Sequence, residues 1–116
     1  MKYFLLLLLI PVVAANLELS EVVPNPQGSD EFEYVEIYNP TNNIILLENY
    51  TLRNTKQIIS LNTTYPEIAP NTYLIFSKNN SNFRLKNKGP ESIQLFYQEI
   101  LLDQFDYTIT KEGFSW

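Results

Sequence analysis

The chain contains neither cysteine nor histidine. Without cysteine there is no disulfide and no thiolate zinc site, so stability must come from packing alone. Without histidine, Ser–His and Cys–His nucleophile activation and imidazole metal sites are excluded. Any catalysis would have to run on carboxylates, tyrosine, lysine or a Ser–Lys pair. The sequence also lacks a sustained helical period, an internal repeat and a low-complexity linker. Beyond residue 15, no apolar run approaches the ~20 residues needed to cross a bilayer.

What is present starts with Lys2 and an unbroken apolar run over residues 4–10, which Val12 and Val13 carry past Pro11. Val13-Ala14-Ala15 has the small-residue form that signal peptidase accepts. The run is too short for a membrane anchor, and no cysteine follows it, which excludes lipid attachment there. The expectation is a signal peptide over residues 1–15, cleaved after Ala15, and one exported domain over residues 16–116, secreted or at the cell surface. The formal charge is −5; without the single charge of Lys2 it becomes −6. An acidic domain is repelled by bare phosphate backbones, so nucleic-acid binding by simple charge is disfavoured.

Strand signals dominate the rest. A first strand is expected around Leu17, Leu19 and Val22. Residues 34–38 alternate, with Val35 and Ile37 on one side and Tyr34, Glu36 and Tyr38 on the other. Asn39-Pro40 ends that ladder, because proline lacks an N–H and restricts the residue before it. Further short strands are expected at residues 44–47, 49–52, 58–61, 72–77 and 83–85. Residues 92–97 and 100–107 pair as a hairpin through Gln98-Glu99, and residues 78–82 and 86–89 read as a polar loop and a turn. About eight short strands with a turn every ten or so residues describe an all-β sandwich or barrel.

Seven pieces of sequence, in order, resemble the lamin-tail domain family, and in particular an exported member of prokaryotic type. They are Glu33-Tyr34-Val35-Glu36-Ile37-Tyr38-Asn39-Pro40, Ile45-Leu46-Leu47, Tyr50-Thr51-Leu52, Ile68-Ala69-Pro70-Asn71-Thr72-Tyr73-Leu74, Asn87-Lys88-Gly89-Pro90-Glu91-Ser92-Ile93-Gln94-Leu95, Asp103-Gln104-Phe105-Asp106-Tyr107 and Gly113-Phe114-Ser115-Trp116. The loop from Glu21 through Pro24-Asn25-Pro26-Gln27-Gly28-Ser29-Asp30 completes the opening. Two departures are Tyr50, where the family usually has Trp, and the proline in Gly89-Pro90-Glu91. The resemblance implies an immunoglobulin-like β-sandwich that binds or tethers, with no catalytic residues and no cofactor.

The residues offer few constellations for chemistry. Glu21 and Glu36 lie on the first two strands; brought together, they would raise one pKa or hold a hard cation. The ordinary expectation is that each pairs with Arg53 or a lysine across the sheet. Asp30, Glu31 and Glu33 lack the register of a calcium loop and read as a solvated acidic loop. Lys78, Arg84, Lys86 and Lys88 lie within eleven residues, beside Phe83 and Tyr73. Such a group would contact a single strand or an anionic glycan, or simply guard a strand edge. Tyr34, Tyr38, Tyr50 and Tyr97 are placed on an outward face, for stacking or for a protein interface. Asn49, Asn62 and Asn79 head Asn-x-Ser/Thr acceptor sequences for N-glycosylation.

These readings converge on a non-enzymatic, exported binding or tethering module whose partner is a protein or cell-envelope component. A second reading is a glycan- or nucleic-acid-binding accessory to a separately encoded hydrolase. A third is a small carboxylate-dependent hydrolase resting on Glu21 and Glu36.

Overall fold

In a computed structural model of the protein, residues 16–24, 33–86 and 88–109 are described. Residues 1–15, where a signal peptide is expected, Asp30, Glu31 and the Gly113–Trp116 segment lie outside these residues. Among the described residues nine strands run in order: β1 (Glu18–Val23), β2 (Tyr34–Tyr38), β3 (Ile45–Leu46), β4 (Tyr50–Arg53), β5 (Ile58–Ser60), β6 (Glu67–Ile68), β7 (Tyr73–Ser77), β8 (Lys88–Tyr97) and β9 (Ile100–Ile109). They form a three-stranded sheet β1-β2-β7, a four-stranded sheet β5-β4-β8-β9 and a short β3-β6 ladder. All pairings are antiparallel. The architecture is the immunoglobulin-like sandwich. Among the described residues no helix is long and apolar enough to cross a membrane.

Period-two patterning builds the core. Val35 and Ile37 are buried while Tyr34, Glu36 and Tyr38 are half-buried on the opposite face. Val22, Val35, Ile37 and Phe76 meet Leu52, Ile93, Leu95 and Tyr107 from the facing sheet. Ile68 of β6, with Leu47, Leu61, Phe83 and Leu85 from the connecting segments, completes the core. The hairpin turn at Gln98-Glu99 is as expected, with Tyr97 opposite Ile100 and Gln98 at a φ of 53°. Pro90 is tolerated in β8 because the β8–β9 register is irregular between Lys88 and Glu91, where no ladder bond is needed from it.

Three expectations need correction. Residues 83–85 are not a strand, although Phe83 and Leu85 are buried as a strand would bury them. Their backbone is satisfied by side chains instead: Asn54 Nδ2 donates to Arg84 O at 2.8 Å, and Arg84 N donates to Gln57 Oε1 at 2.9 Å. Gln57 Nε2 donates to Asn82 O at 2.8 Å, and Leu85 N donates to Glu33 Oε1 at 3.2 Å. Second, β8 begins at Lys88, inside the expected turn over 86–89. Third, the polar loop after β7 contains one helical turn, α1 (Lys78–Ser81). Ser77 caps it by accepting from Asn80 N, while the Asn80 side chain accepts from Ser77 N at 2.8 Å.

Asn39 does more than end a strand. It is fully buried, and its Nδ2 donates to the carbonyls of Asn43, Ile68 and Ala69 at 2.8, 3.2 and 3.1 Å. Its Oδ1 accepts from the N–H and hydroxyl of Thr41 at 3.0 and 2.7 Å. One side chain therefore ties the turn after β2 to the turn between β6 and β7, satisfying backbone groups that burial would otherwise orphan.

Candidate functional site

The outer face of β1-β2-β7 is built by strand register. Tyr38 lies opposite Glu18 and Tyr73, Glu36 opposite Glu21 and Ile75, and Tyr34 opposite Val23 and Ser77. Residues in register share a face, so carboxylates and aromatic rings are interleaved there. The Tyr38 and Tyr73 rings stack with centroids 4.4 Å apart. Tyr73 is 54% exposed and Ile75 40% exposed, beside them.

Glu21 and Glu36 are brought opposite one another, yet each carboxylate has a local partner. Tyr34 donates its hydroxyl to Glu21 Oε1 at 2.5 Å. Ser20, displaced by the bulge between Leu19 and Glu21, donates its hydroxyl to Glu36 Oε1 at 2.9 Å and touches Glu36 O at 3.1 Å. The bond to Glu21 stabilises the neutral phenol, and with desolvation and the charges of Glu21 and Glu36 it pushes the Tyr34 pKa up to about 12. Arg53 does not pair with either glutamate. It sits in the other sheet, 3.9 Å over the Phe96 ring, and makes a 3.4 Å ion pair with Glu99. Among the described residues no group of three or more acidic side chains gathers as a metal cage.

The tyrosines divide. Tyr34 and Tyr38 are on the outer face as expected. Tyr50 is not: it is 5% exposed, part of the core, and in contact with Tyr97 at 4.9 Å between centroids. Tyr97, opposite Tyr50 in register, packs against the core too. Burial raises the Tyr50 pKa, opposed by the hydroxyl's 2.8 Å bond to Asn16 Oδ1 and assisted by Tyr97.

The basic group is only partly assembled. Lys78 lies on α1, and the side chain of Lys88 is outside the described set. Arg84 and Lys86 line a cleft of about 420 Å³, where Lys56 from the β4–β5 turn joins them. Lys56 escapes sequence reasoning because it is distant in the chain; the side-chain clamp from Asn54 and Gln57 is what brings its turn alongside. Glu33 is not solvated: it is 3% exposed and accepts from Leu85 N. Glu91, also buried, accepts from the N–H groups of Thr55 and Ser92, each at 3.0 Å, and from the Thr55 hydroxyl at 3.2 Å. Glu91 and Glu33 also act on Tyr107: burial first, then their charges, push its pKa up, against a bond from its hydroxyl to Lys86 O.

Asn49, Asn62 and Asn79 are all exposed. Asn62 sits in a 3-10 turn after β5, Asn79 in α1, and Asn49 at a φ of 70° just before β4.

Residues 12–108 match the sequence profile of the family described as Lamin Tail Domain. No curated protein and no solved structure matches the chain.

Proposed function

Because this chain belongs to the lamin-tail domain family, a family of immunoglobulin-like modules, we propose that it is a non-catalytic binding or tethering module, exported, whose partner is a protein of the cell envelope. The observation that carries this reading is the Tyr38–Tyr73 stack. Two rings and Ile75 present apolar area to solvent within a rim of carboxylates, the composition that protein interfaces favour. Contact through the sheet face fits better than strand addition at β7. The outward carbonyl of Ile75 already accepts from Asn80 Nδ2 at 2.7 Å and Tyr65 Oη at 3.2 Å, which blunts that edge.

Retention of the purified chain on isolated cell envelopes tests the proposal. Tyr73→Ser, a surface change expected to leave the melting temperature in place, should lower retention about tenfold or more, as loss of an aromatic anchor does. Equal retention of the variant, or substrate turnover by the wild type that Glu21→Gln or Glu36→Gln abolishes with folding intact, would refute it.

A further inference from the structure

We propose that a second surface, the groove at the start of β8, binds an acidic oligosaccharide, with the carboxylate of one sugar seated among Lys56, Arg84 and Lys86. The groove consists of two adjoining clefts of about 420 and 430 Å³ that share Lys86 and Glu91 as a common wall. Each falls within the ~300–1,000 Å³ typical of small-ligand sites.

The first cleft concentrates charge against the trend of the molecule. Three of the eight Lys and Arg of a chain with net charge −5 converge on it. Among the described residues none of the three has a carboxylate within 4.0 Å; the ion pair found there is Arg53–Glu99. Like charges held together without counter-charges repel, and an anionic ligand relieves that. Lys86 Nζ makes one long 3.5 Å contact to Pro90 O, which leaves ammonium protons for a ligand. The walls are preorganised, since Asn54 and Gln57 hold the backbone of Arg84 from both its N–H and its carbonyl. Glu91 would repel an anion, but its carboxylate is 4% exposed and its oxygens are taken by Thr55 and Ser92.

The second cleft decides the chemical class. It is lined by Thr55, Gln104, Asp106 and Thr108, with Lys86 at the shared wall. Gln104 Nε2 donates to Asp106 Oδ1 at 2.9 Å, which aligns an amide and a carboxylate side by side. A phosphate chain leaving the first cleft would meet Asp106 and be repelled. A sugar ring would instead donate hydroxyls to Asp106 and Gln104. A cationic subsite next to a hydroxyl-accepting one suits a sugar acid followed by another sugar.

The test is titration calorimetry of the full chain with trisaccharides that carry one terminal galacturonate, glucuronate or mannuronate on two neutral sugars, the corresponding acidic monosaccharides, the methyl esters, inorganic phosphate and an oligothymidylate. At least one acid trisaccharide should bind, and its ester should bind about tenfold more weakly. Arg84→Gln and Lys56→Gln should each weaken binding by roughly tenfold, the effect of one lost charge-assisted contact. Gln104→Ala should weaken the trisaccharide and leave the monosaccharide unchanged. Tyr73→Ser, on other strands, should change nothing. Each variant is exposed at the altered side chain, and unchanged melting curves verify folding. The proposal is overturned by no trisaccharide binding at millimolar concentration or by equal binding of acid and ester. It is equally overturned by phosphate or oligothymidylate binding as tightly as the trisaccharide, or by indifference to Arg84→Gln.

Discussion

The backbone N–H of Leu19, on the first strand, donates to Asp103 Oδ2, on the last, at 2.8 Å across 84 positions of sequence. Asp103 lies opposite Leu95 in the β8–β9 ladder, and Leu95 is fully buried. The aspartate therefore points inward from an edge strand, a device that discourages edge pairing, and is satisfied by the neighbouring sheet. The bulge at Ser20 follows immediately after Leu19. A single charge-assisted bond thus stitches one lateral seam of the sandwich. Asp103→Ala should lower stability by about 1.5–3 kcal/mol in urea titration, while Asp103→Asn, which keeps an acceptor, should cost less. Equal losses would assign the effect to packing.

Asn39→Ala should be among the most damaging single changes. It removes five hydrogen bonds from a fully buried site and takes that partner from the Ile68 carbonyl and the Thr41 N–H, while the Ala69 carbonyl keeps its 2.7 Å bond from the Thr72 hydroxyl. A loss of at least ~3 kcal/mol is expected from two or more unsatisfied groups. Asn39→Asp should be worse at pH 7, since a carboxylate would face three carbonyl oxygens, and should recover partly in acid. Denaturation midpoints at pH 7 and pH 4 check both statements.

Gln57→Ala should free the segment after α1. Gln57 is the acceptor for Arg84 N–H and a donor to Asn82 O. The expected outcome is faster hydrogen exchange at the Arg84 amide and a global loss of about 1–2 kcal/mol. If that amide keeps its protection, the clamp is not what holds the segment.

Tyr34 should titrate near pH 12, about two units above the ordinary tyrosine value of 10.0. Because the folded value is the higher one, this bond contributes its full stability below pH 10 and loses it as pH rises through 12. The phenolate absorbance of the wild type minus that of Tyr34→Phe isolates this titration among the chain's eight tyrosines. Glu21→Gln should move the Tyr34 midpoint back toward 10, because it removes the charge that holds the proton in place.

Much of the sandwich was legible in the chain. Val35 and Ile37 alternate with Tyr34, Glu36 and Tyr38, and a period of two permits only one assignment of faces. Gln98-Glu99 between two β-prone runs marked the hairpin. Residues 83–85 have the same local look, with Phe83 and Leu85 flanking Arg84, and they do bury the same faces. Their partners are the side chains of Asn54 and Gln57, some thirty positions away, and no local pattern encodes that. Glu33 failed for a related reason. A glutamate reads as solvated until a fold aims backbone N–H groups at it. Tyr50 reads as an outward tyrosine until Asn16 supplies an acceptor for its buried hydroxyl.

Composition and alternation by themselves determined that this chain is all-β, a sandwich or a barrel, and that histidine and cysteine chemistry is closed to it. Those properties depend on residue identity and on the two-residue repeat of a strand, both local. Which carboxylates are buried, which cations share a cleft and where the seam between sheets is sewn depended on contacts between distant segments. Only the tertiary structure decided these, because strand register and side-chain bonds to backbone bring together residues that are far apart in the chain.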